Sequence, residues 1–485
     1  MSAETGNNRR GHARGFSYWV AGKPGSGAER VSIRSPYDGT EAGTHGVPTD
    51  AEVEAAVSAA DAIKGQTAAS SAAERAAALD HVSRRIAERA AEIARLITAE
   101  SGKPLMWSRV EVARGSSTFR WAAEEARRFG GTVQRLDTDA AGTGRSALVR
   151  RVPRGPVLGI TPFNFPLNLV AHKVAPAIAV GAPIVLKPAP ATPLTALVLG
   201  EILAETELPA GSWSVLPVDN STAARLVTDP RLPVVSFTGS VPVGWGIADS
   251  APRKHVVLEL GGNAAVIICP DWTDLAFAAK RVATFSMYQA GQSCISVQRV
   301  YVHRQHYAEF RELLVREVAA LGTGDPAADS TAVGPLINAG AAERVRRWVA
   351  EAVDAGAALL AGGTGAGTTV APTVLAGVPE SARVMAEEVF GPVVCVNPVD
   401  SVEEAFGLVN ASRFGLQAGV FTTGLRTALA ASAQLDVGGV IVGDVPSFRS
   451  DQMPYGGVKD SGVGREGPAS AMEDLTEARI TVLPM

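Results

Sequence analysis

The chain has 485 residues, of which 46% are hydrophobic and 19% are charged, and its formal net charge is −4. This composition is typical of a globular chain with two or three domains, and the charge excludes a general attraction to nucleic acid or to an anionic membrane. No apolar run approaches the roughly 20 residues that a membrane helix needs, and the opening MSAETGNNRRGHARG has no apolar segment behind it. We therefore expect a cytoplasmic protein with a flexible N-terminal tail and no nucleic-acid or membrane partner.

Helices are predicted first along the chain. Residues 51–64 are rich in alanine, and apolar residues recur at helical spacing over 72–100, where Gly102 and Pro104 supply a stop. From residue 155 the pattern changes to short β-like runs, beginning with GPVLGIT and PIVLKP, and these alternate with helical segments as far as residue 440. Such alternation predicts an α/β protein of two lobes, each built on a parallel sheet. The later helical candidates are 167–180, 193–206, 220–228, 241–249, 273–289, 306–321, 340–355, 401–411 and 424–434.

The three cysteines differ in their surroundings. Cys269 and Cys395 lie in apolar runs with β-branched neighbours, which indicates buried strand thiols. Cys294 instead follows Gly291, Gln292 and Ser293, small and polar residues that would expose a thiol. The wide spacing of the cysteines suggests no disulfide framework and favours a reducing compartment. No Cys/His cluster has metal-ligand spacing, so no metal is predicted.

Two polar residues are candidate partners for a reactive Cys294. Glu259 ends the run HVVLELGGN, where partial desolvation would raise its pKa toward the range of a general base. Asn164, in TPFNFP, can offer an amide N–H to an oxyanion. Each also has a plain alternative interpretation, as a strand-end surface residue and as a turn-forming residue respectively.

Phosphate-binding signals are weak when taken singly. No GxGxxG follows the first strand of the 155–260 region, and the glycines of GGTGAG at 362–367 lie in what is predicted to be a surface turn. FTGS is more favourable, because Gly239 and Ser240 follow an apolar strand and precede a helix near Val241. Backbone N–H groups at such a helix start suit a pyrophosphate, although Gly-Ser turns are also common helix caps.

Taken together, these motifs resemble a known family. TPFNFP, LKP, FTGS, LELGG, GQSC, EEVFGP and PYGGVKDSGVGREG occur in the order and spacing of the NAD(P)-dependent aldehyde dehydrogenase superfamily, from about Val31 to the C-terminus. The resemblance implies a Rossmann-like cofactor domain on a parallel sheet, an α/β catalytic domain and a small β oligomerisation arm, hence a homodimer or homotetramer. The implied boundaries are 15–134 and 153–259 for the cofactor domain, 260–460 for the catalytic domain, and 135–152 and 467–485 for the arm.

The resemblance also implies a mechanism. Cys294 would attack the aldehyde carbon to give a thiohemiacetal, whose oxyanion Asn164 and the backbone N–H of Cys294 would stabilise. Hydride transfer to the nicotinamide would leave a thioester, and Glu259 would activate the water that hydrolyses it to the carboxylic acid. Lys173 matches a family lysine near the proton exit route.

Cofactor contacts follow from the same motifs. Lys187 matches the family lysine at the adenosine ribose, and Glu388 and Phe390 match the positions at the nicotinamide ribose and ring. NAD-selective relatives commonly carry a glutamate where this chain has Pro190, so a 2′-phosphate is not repelled and NADP⁺ or NAD⁺ is the expected cofactor. The other implied cofactor residues are Thr161, Pro162, Phe163, Phe237, Gly239, Ser240, Leu260 and Gly261.

The implied substrate pocket is unusually polar. Relatives that act on simple aliphatic aldehydes line it with apolar and aromatic groups, whereas Asn168, His172 and Arg449 are polar here. An arginine forks well onto an anionic group, so we expect a small aldehyde with an anionic or hydroxylated tail. In the alternative, Arg449 pairs with Asp451 and faces away. The full implied pocket is Phe165, Asn168, His172, Ile295, Arg449 and Tyr455.

Three alternatives to this function remain open at the level of sequence. A CoA-acylating relative would transfer the acyl group to CoA, but such relatives typically lack the glutamate at Glu259. A non-catalytic member is disfavoured by the intact Cys294, Glu259 and Asn164. A thiol esterase would work without any nicotinamide cofactor.

Overall fold

The computed structural model describes residues 14–485, so most of the segment expected to be a flexible tail lies outside the described residues. No helix within that range is long and apolar enough to cross a membrane. The α-helices are α1 (Asp50–Ala69), α2 (Ala72–Glu88), α3 (Ala90–Ser101), α4 (Leu105–Arg128), α5 (Asn168–Val180), α6 (Leu194–Leu203), α7 (Asn220–Thr228), α8 (Val241–Ser250), α9 (Leu275–Met287), α10 (Arg304–Ala319), α11 (Ala339–Asp354), α12 (Arg383–Ala386), α13 (Val402–Asn410), α14 (Leu425–Gln434) and α15 (Pro468–Asp474), with short 3₁₀ turns at Ala140–Gly142 and Tyr288–Gly291.

From β8 onward most strands alternate with these helices, as the periodicity predicts. In chain order they are β1 (Gly15–Phe16), β2 (Tyr18–Val20), β3 (Lys23–Gly25), β4 (Arg30–Arg34), β5 (Glu41–Gly46), β6 (Gly131–Arg135), β7 (Arg145–Pro153), β8 (Val157–Ile160), β9 (Ile184–Lys187), β10 (Trp213–Val215), β11 (Val234–Thr238), β12 (His255–Glu259), β13 (Ala265–Ile268), β14 (Arg299–His303), β15 (Ala358–Ala361), β16 (Thr373–Ala376), β17 (Val393–Val399), β18 (Phe414–Gly415), β19 (Gln417–Phe421), β20 (Gly439–Val442), β21 (Val458–Lys459), β22 (Gly462–Val463) and β23 (Thr476–Pro484).

Two large sheets form the two predicted lobes. The first has the order β22-β12-β11-β8-β9-β10-β2-β3, and its five central strands from β12 to β10 are parallel. The second has the order β15-β16-β17-β14-β13-β19-β20 and is parallel except for β15. The strands at the centre of each sheet are buried along their whole length, since crossover helices cover both faces. The α/β prediction is therefore confirmed.

The glycine-rich stretch 362–367 joins β15 to its antiparallel neighbour β16. It follows a strand but opens no helix, and Gly362, Gly363 and Gly367 adopt positive φ within the turn. The predicted surface turn is thus present, and the geometry of a strand–loop–helix phosphate site is absent from it.

A smaller antiparallel sheet has the order β23-β7-β6. Its register pairs the whole of β23 with β7, from Thr476↔Pro153 to Pro484↔Arg145. The sheet begins four residues earlier than the segment 135–152 expected for the arm, because β6 starts at Gly131. Large apolar side chains remain exposed on it, namely Val133, Leu148, Ile480, Val482 and Leu483.

The helices of the first hundred residues depart from the prediction in one respect. The segment 72–100 forms two helices, α2 and α3, because the chain leaves helical geometry at Arg89. Ser71 caps α2 in a capping box with Glu74, and Gly102 ends α3 in the left-handed conformation that glycine adopts at low cost.

The longest helix, α4, was not predicted. Its buried face carries Ser108, Glu111, Gly115 and Thr118 among its apolar residues. Because small and polar residues interrupt the apolar stripe, the helical period is obscured at the level of sequence.

A buried ion pair joins α4 to the start of α5. Lys103 and Glu111 form a salt bridge with both side chains almost fully inaccessible to solvent. Oε1 of Glu111 also accepts hydrogen bonds from the backbone N–H groups of Leu167 and Asn168, at 2.9 and 3.1 Å. A carboxylate at this end of a helix satisfies N–H groups that have no partner in the helix itself.

Replacing Glu111 should therefore destabilise the lobe built on the first large sheet. In Glu111→Ala the ammonium of Lys103 stays buried without a partner, and we expect the free energy of unfolding to fall by about 3 kcal/mol or more. Thermal unfolding and urea titration measure the loss. Glu124→Ala, on the exposed face of the same helix in a pair with Arg120, is the matched control and should change stability by under about 0.5 kcal/mol. Equal effects of the two variants would contradict this assignment.

Candidate active site

The carboxyl ends of four neighbouring parallel strands lie in one row. Thr161 follows β8, Lys187 ends β9, and the Gly239–Ser240 turn follows β11. Cross-strand register aligns Ile160 with Lys187 and Thr238 with Glu259. Polar residues from four sequence motifs therefore meet at one edge of the sheet, which is where open α/β sheets bind their ligands.

The loop that carries Cys294 follows α9 and has an unusual backbone. Gln289, Ala290 and Gly291 all have positive φ, of 54°, 55° and 69°. Gly291 and Ser293, which the sequence predicts to expose the thiol, are themselves buried. A Cβ on Gly291 would lie 2.0 Å from the carbonyl oxygen of Gly391, and Ser293 is buried with its hydroxyl bonded to Tyr288. The glycine is required by close approach of another loop.

Cys294 is partly buried, whereas Cys269 and Cys395 are fully buried as predicted. Burial raises the pKa of the Cys294 thiol to about 12, while its hydrogen bond with Tyr455 acts in the opposite direction. The sulfur lies 2.9 Å from the Tyr455 hydroxyl oxygen. Within residues 14–485 the backbone N–H of Cys294 has no hydrogen-bond acceptor, so it is free to meet an oxyanion.

Asn164 lies beside the nucleophile loop and is buried. Its Nδ2 donates a hydrogen bond of 2.9 Å to the carbonyl oxygen of Gln292, two residues before Cys294. Gln289 closes the same contact from the other side, because its Nε2 donates to the carbonyl oxygen of Asn164. An amide Nδ2 carries two hydrogens, so one N–H remains for a ligand.

Glu259 is 3% exposed, and neither of its carboxyl oxygens has a hydrogen-bond partner among the described residues. Burial, together with the nearby carboxylate of Glu466, raises the pKa of Glu259 well above its usual range. The backbone at residue 456 approaches this carboxyl group closely, since a Cβ there would lie 2.7 Å from Oε1 of Glu259. A desolvated, unpartnered carboxyl group suits a general base acting on water.

Behind Glu259 lies a buried pair formed by Lys173 and Glu466. Nζ of Lys173 donates to Ser236 at 3.0 Å and lies 3.7 Å from Oε1 of Glu466. Burial opposes ionisation of Glu466, but Arg449 and Lys173 outweigh it and lower its pKa to about 2. The sequence prediction included Lys173 but missed Glu466, although Glu466 lies within the matched motif PYGGVKDSGVGREG.

Arg449 lies within this polar cluster, with its side chain only 6% exposed. It does not pair with Asp451, as the alternative interpretation required. Instead its Nη2 donates to Glu466 at 2.9 Å and contacts His172, and its guanidinium lies 3.8 Å above the ring of Tyr455. Asp451 is occupied by Arg114, whose Nε and Nη2 both donate to it. Nε of Arg449 is buried without a partner among the described residues, as a donor awaiting a ligand or water would be.

Arg114 is a second basic group that sequence reasoning missed. It lies on α4 and is a quarter exposed, and its carboxylate partner Asp451 also contacts His172 at 3.5 Å. Burial and the charge of Arg449 lower the pKa of His172, so this imidazole stays neutral. No signal in the sequence around ARGSS marks Arg114, because the helix that presents it was itself not recognised.

The remaining pocket residues line the same region. Phe165 lies beneath the ammonium of Lys103, 4.1 Å from it, and Oδ1 of Asn168 accepts a hydrogen bond from Thr118. Ile295 and Tyr455 are buried and pack together beside Cys294. Contacts join Ile295 and Tyr455 to Cys294, and His172 to Arg449, whereas Phe165 and Asn168 contact residues before and within α4. The roles of all six residues remain predictions.

The cofactor motifs form a second group along the strand ends. Burial lowers the pKa of Lys187 to about 8, and its Nζ contacts Asn220 at 3.2 Å. Pro190 is exposed in the loop after β9. Ser240 precedes α8, yet its side chain makes no capping hydrogen bond, so its hydroxyl is available to an anion. An adenosine phosphate would find an ammonium, a hydroxyl and a helix N-terminus here.

The residues expected at the nicotinamide also lie close to other groups. Oε1 of Glu388 accepts a hydrogen bond of 3.1 Å from the backbone N–H of Gly262. Burial raises the pKa of Glu388 to about 7. A Cβ on Gly261 would lie 2.3 Å from Oε2 of Glu388. Phe390 has a positive φ of 47° and meets Phe163 edge to face, with ring centroids 5.8 Å apart. Of the others, Leu260 and Phe237 pack in the core of the lobe, Thr161 has a buried unpartnered hydroxyl, and Pro162 is partly exposed.

Comparison with known protein families agrees with the motif pattern. The model of the aldehyde dehydrogenase family matches residues 19–481, which is nearly the whole chain. The chain belongs to the aldehyde dehydrogenase family.

Individual aldehyde dehydrogenases are similar to it over their full length. A 3-sulfolactaldehyde dehydrogenase from Priestia aryabhattai is 41% identical over 470 residues, covering 96% of this chain and 98% of the relative. Aldehyde dehydrogenase 21 from Physcomitrella patens, solved with the reaction product succinate, is 43% identical with a TM-score of 0.96, covering 97% and 98% of the two chains. An NADP-dependent glyceraldehyde-3-phosphate dehydrogenase from Bacillus halodurans, solved with NADP, is 32% identical with a TM-score of 0.93, covering 98% and 99%.

These similarities confirm the predicted fold and reaction class. This aldehyde dehydrogenase is an oxidoreductase that oxidises an aldehyde to a carboxylic acid with NADP⁺ or NAD⁺. The CoA-acylating alternative is not favoured, since the moss relative was solved with a free acid as its product. A non-catalytic member and a cofactor-independent esterase are disfavoured for a different reason, namely that the similar proteins named above are dehydrogenases.

The expected role of Glu259 as the general base can be tested by varying the pH and by substitution. Since its pKa is raised, the carboxylate form becomes more abundant as the pH rises, and kcat should rise with pH above the usual titration range of a carboxyl group. In Glu259→Gln we expect one equivalent of reduced cofactor per subunit in a rapid burst, followed by turnover about 10²- to 10⁴-fold slower than wild type.

Stopped-flow absorbance of the reduced cofactor separates the burst from steady-state turnover. Steady-state rates are then compared across pH for wild type and variant. An unchanged steady-state rate and pH profile in Glu259→Gln would show that another group activates the water.

Proposed function

We propose that this aldehyde dehydrogenase oxidises a small aldehyde whose far end carries one negative charge, such as a carboxylate or sulfonate, with Arg449 as the anchor. The observation that carries the proposal is the position of Arg449. Its guanidinium lies over the ring of Tyr455, and the hydroxyl of the same ring contacts Sγ of Cys294. One phenol ring therefore separates a buried cation from the nucleophile, which favours a short substrate over a long one.

The charges around Arg449 favour a single negative charge on the substrate. Arg449, Arg114 and Lys173 are cations, while Asp451 and Glu466 are carboxylates with lowered pKa values. His172 is neutral because its pKa is lowered, and the raised pKa of Glu259 disfavours a third carboxylate, so the three cationic groups outnumber the ionised carboxylates. A monoanionic tail balances this charge, whereas a phosphate dianion would exceed it.

The names of two relatives agree with an anionic tail. The Priestia enzyme is named for 3-sulfolactaldehyde, which bears a sulfonate, and the moss enzyme was solved with succinate, which bears a second carboxylate. A hydroxylated neutral tail is the remaining possibility from sequence, and Asn168 and His172 are the groups that would bind it.

In the proposed mechanism Cys294 attacks the aldehyde carbon. The free N–H of Cys294 and the remaining N–H of the Asn164 amide donate to the oxyanion, and each such donor contributes on the order of 3 kcal/mol. When bound, the nicotinamide supplies the hydride acceptor. Glu259 then takes a proton from the water that attacks the thioester, and the adjoining Lys173, whose pKa burial lowers, is placed to carry the proton away.

The cofactor residues fit a phosphorylated dinucleotide. Lys187, Ser240 and the N-terminus of α8 would hold the phosphates and the adenosine ribose, and Glu388 would accept hydrogen bonds from the second ribose. Pro190 supplies no negative charge at the place where NAD-selective relatives carry a glutamate, so we propose NADP⁺ as the better cofactor.

We further propose that the enzyme acts as a homodimer or homotetramer in the cytoplasm. The exposed apolar side chains and open edges of the β23-β7-β6 sheet need a covering partner, and a second copy would provide it. The cofactor domain would comprise 15–134 and 153–259 and the catalytic domain 260–460. The arm would comprise 135–152, which interrupts the cofactor domain, and 467–485.

Arg449→Ala tests the tail specificity. We expect kcat/KM for a four-carbon aldehyde that ends in a carboxylate to fall by about 10- to 100-fold, because a charge-assisted hydrogen bond is lost. For butanal, which has the same length and no charge, kcat/KM should fall by a clearly smaller factor, because only the indirect effect of Arg449 on Cys294 is lost. Arg114→Ala should shift the preference in the same direction by a smaller factor.

Arg109→Ala is the matched control, since Arg109 lies on the exposed face of α4 and pairs with Asp329. It should leave kcat/KM for both aldehydes unchanged. An Arg449→Ala enzyme that loses activity equally toward both aldehydes would contradict the tail assignment without affecting the assignment of Cys294.

Pro190→Glu tests the cofactor proposal. A carboxylate introduced near the ribose of the adenosine would repel a 2′-phosphate, so KM for NADP⁺ should rise about tenfold or more while KM for NAD⁺ changes little. Initial rates with each cofactor measure this. Pro190→Gln is the control, because glutamine has the size of glutamate without its charge, and it should change KM for the two cofactors alike. Equal changes of the two KM values in Pro190→Glu would contradict the proposal.

A further inference from the structure

We infer that Tyr455 is a catalytic residue, whose hydroxyl donates a hydrogen bond to the sulfur of Cys294 and stabilises the thiolate that attacks the aldehyde. The inference rests on the proposed role of Cys294 as the nucleophile. It gives Tyr455 a chemical task in place of the pocket-wall role that its position in the motif implies.

The geometry leaves the phenol little freedom to lie elsewhere. Tyr455 is 4% exposed, and its hydroxyl oxygen lies 2.9 Å from Sγ of Cys294. Its backbone exchanges two hydrogen bonds with Glu466, of 3.0 and 2.6 Å, which fixes the residue in an antiparallel bridge. Its ring is held between Arg449 on one face and the buried side chains of Ile295 and Leu416. The hydroxyl therefore meets the sulfur without first having to reorganise.

The surroundings of Cys294 otherwise disfavour the thiolate. Burial disfavours a charge on sulfur, and the charged or ionisable groups facing it are Glu259 at the end of β12, Glu388 after α12, and Arg449 with Tyr455 in the loop after β20. Of these, the two carboxyl groups disfavour the thiolate, whereas the guanidinium and the phenol favour it.

Tyr455 keeps its proton throughout the working pH range. Burial raises the pKa of this phenol well above 10, so the hydroxyl remains a donor whenever the sulfur is ionised. A thiolate accepts a much stronger hydrogen bond than a thioether does. The contact is therefore strongest before attack, where it increases the population of the reactive form.

Arg449 assists this donor. A cation above an aromatic face withdraws electron density from the ring, which makes a phenol hydroxyl a stronger donor. Phenylalanine at position 455 would keep the ring, its packing and the contact with Arg449, and would lose only the hydroxyl. Tyr455→Phe thus separates the chemical role from the structural one.

Alkylation of Cys294 by iodoacetamide measures thiolate formation directly. In this reaction a sulfur–carbon bond forms, the carbon–iodine bond breaks, iodide leaves and the thiol proton passes to the buffer. Relative to wild type, we expect Tyr455→Phe to raise the apparent pKa of the pH–rate profile by about one to two units and to slow alkylation at neutral pH by about 10- to 100-fold. A profile that overlays the wild-type profile would overturn the inference.

Tyr288→Phe is the matched control. Tyr288 is a buried tyrosine in the same loop, and its hydroxyl donates to Ser293 at 2.8 Å and not to the sulfur of Cys294. Its profile should resemble the wild-type profile; an equal loss in both variants would overturn the inference in favour of loop disruption. Cys294→Ala gives the background rate of the buried Cys269 and Cys395, and thermal unfolding confirms that the variants are folded.

A second measurement serves if Tyr455→Phe does not fold. Replacing Tyr455 with difluorotyrosine strengthens the phenol as a donor without altering the packing, so the apparent pKa of Cys294 should fall; no change would overturn the inference. Failure of the proposed function has a different signature. In that case wild-type Cys294 would react no faster than the Cys294→Ala background, whatever residue 455 is.

Discussion

The candidate site depends on the hydrogen bonds that Gln292 makes to both lobes. Its carbonyl oxygen accepts from Asn164 of the cofactor lobe at 2.9 Å. Its side chain donates to the carbonyl oxygen of Pro335 at 3.3 Å and accepts from the backbone N–H of Ile337 at 2.9 Å. The three left-handed residues before Gln292 would be costly in an open loop, and these contacts hold them in place. The distance between Cys294 and Asn164 is thus fixed by one residue that takes no part in the chemistry.

Around that fixed geometry the protein buries an uncommon number of charges. Taking ions out of water is costly unless each has a partner. In this cluster each carboxylate has two partners: Glu466 contacts Arg449 and Lys173, and Asp451 contacts Arg114 and His172. Glu259 is the exception, with no partner and a raised pKa. The contrast between Glu259 and Glu466, two neighbouring carboxyl groups with pKa values driven apart, is what allows a base to exist beside a permanent anion.

Sequence reasoning was strongest where periodicity or motif spacing carries the information. The strands and most helices from residue 155 onward follow from alternation of apolar runs, and Cys294, Glu259 and Asn164 follow from motifs at strand ends and turns. Helix α4 was not predicted, because Glu111 and small polar residues interrupt the apolar stripe on its buried face. Arg114, which lies on α4, was missed for the same reason. The alternative in which Arg449 pairs with Asp451 was wrong because it rested on nearness in sequence, whereas Glu466 is brought to Arg449 by its antiparallel bridge with Tyr455.

The stacking of Arg449 on Tyr455 joins substrate recognition to reactivity. One face of the phenol ring meets the guanidinium, and the hydroxyl of that ring touches the sulfur. An anion that binds the guanidinium would change the electric field across the ring, so the thiolate would respond to the far end of the substrate before the aldehyde has reacted. The charge on that end would then affect the rate of bond formation as well as the affinity.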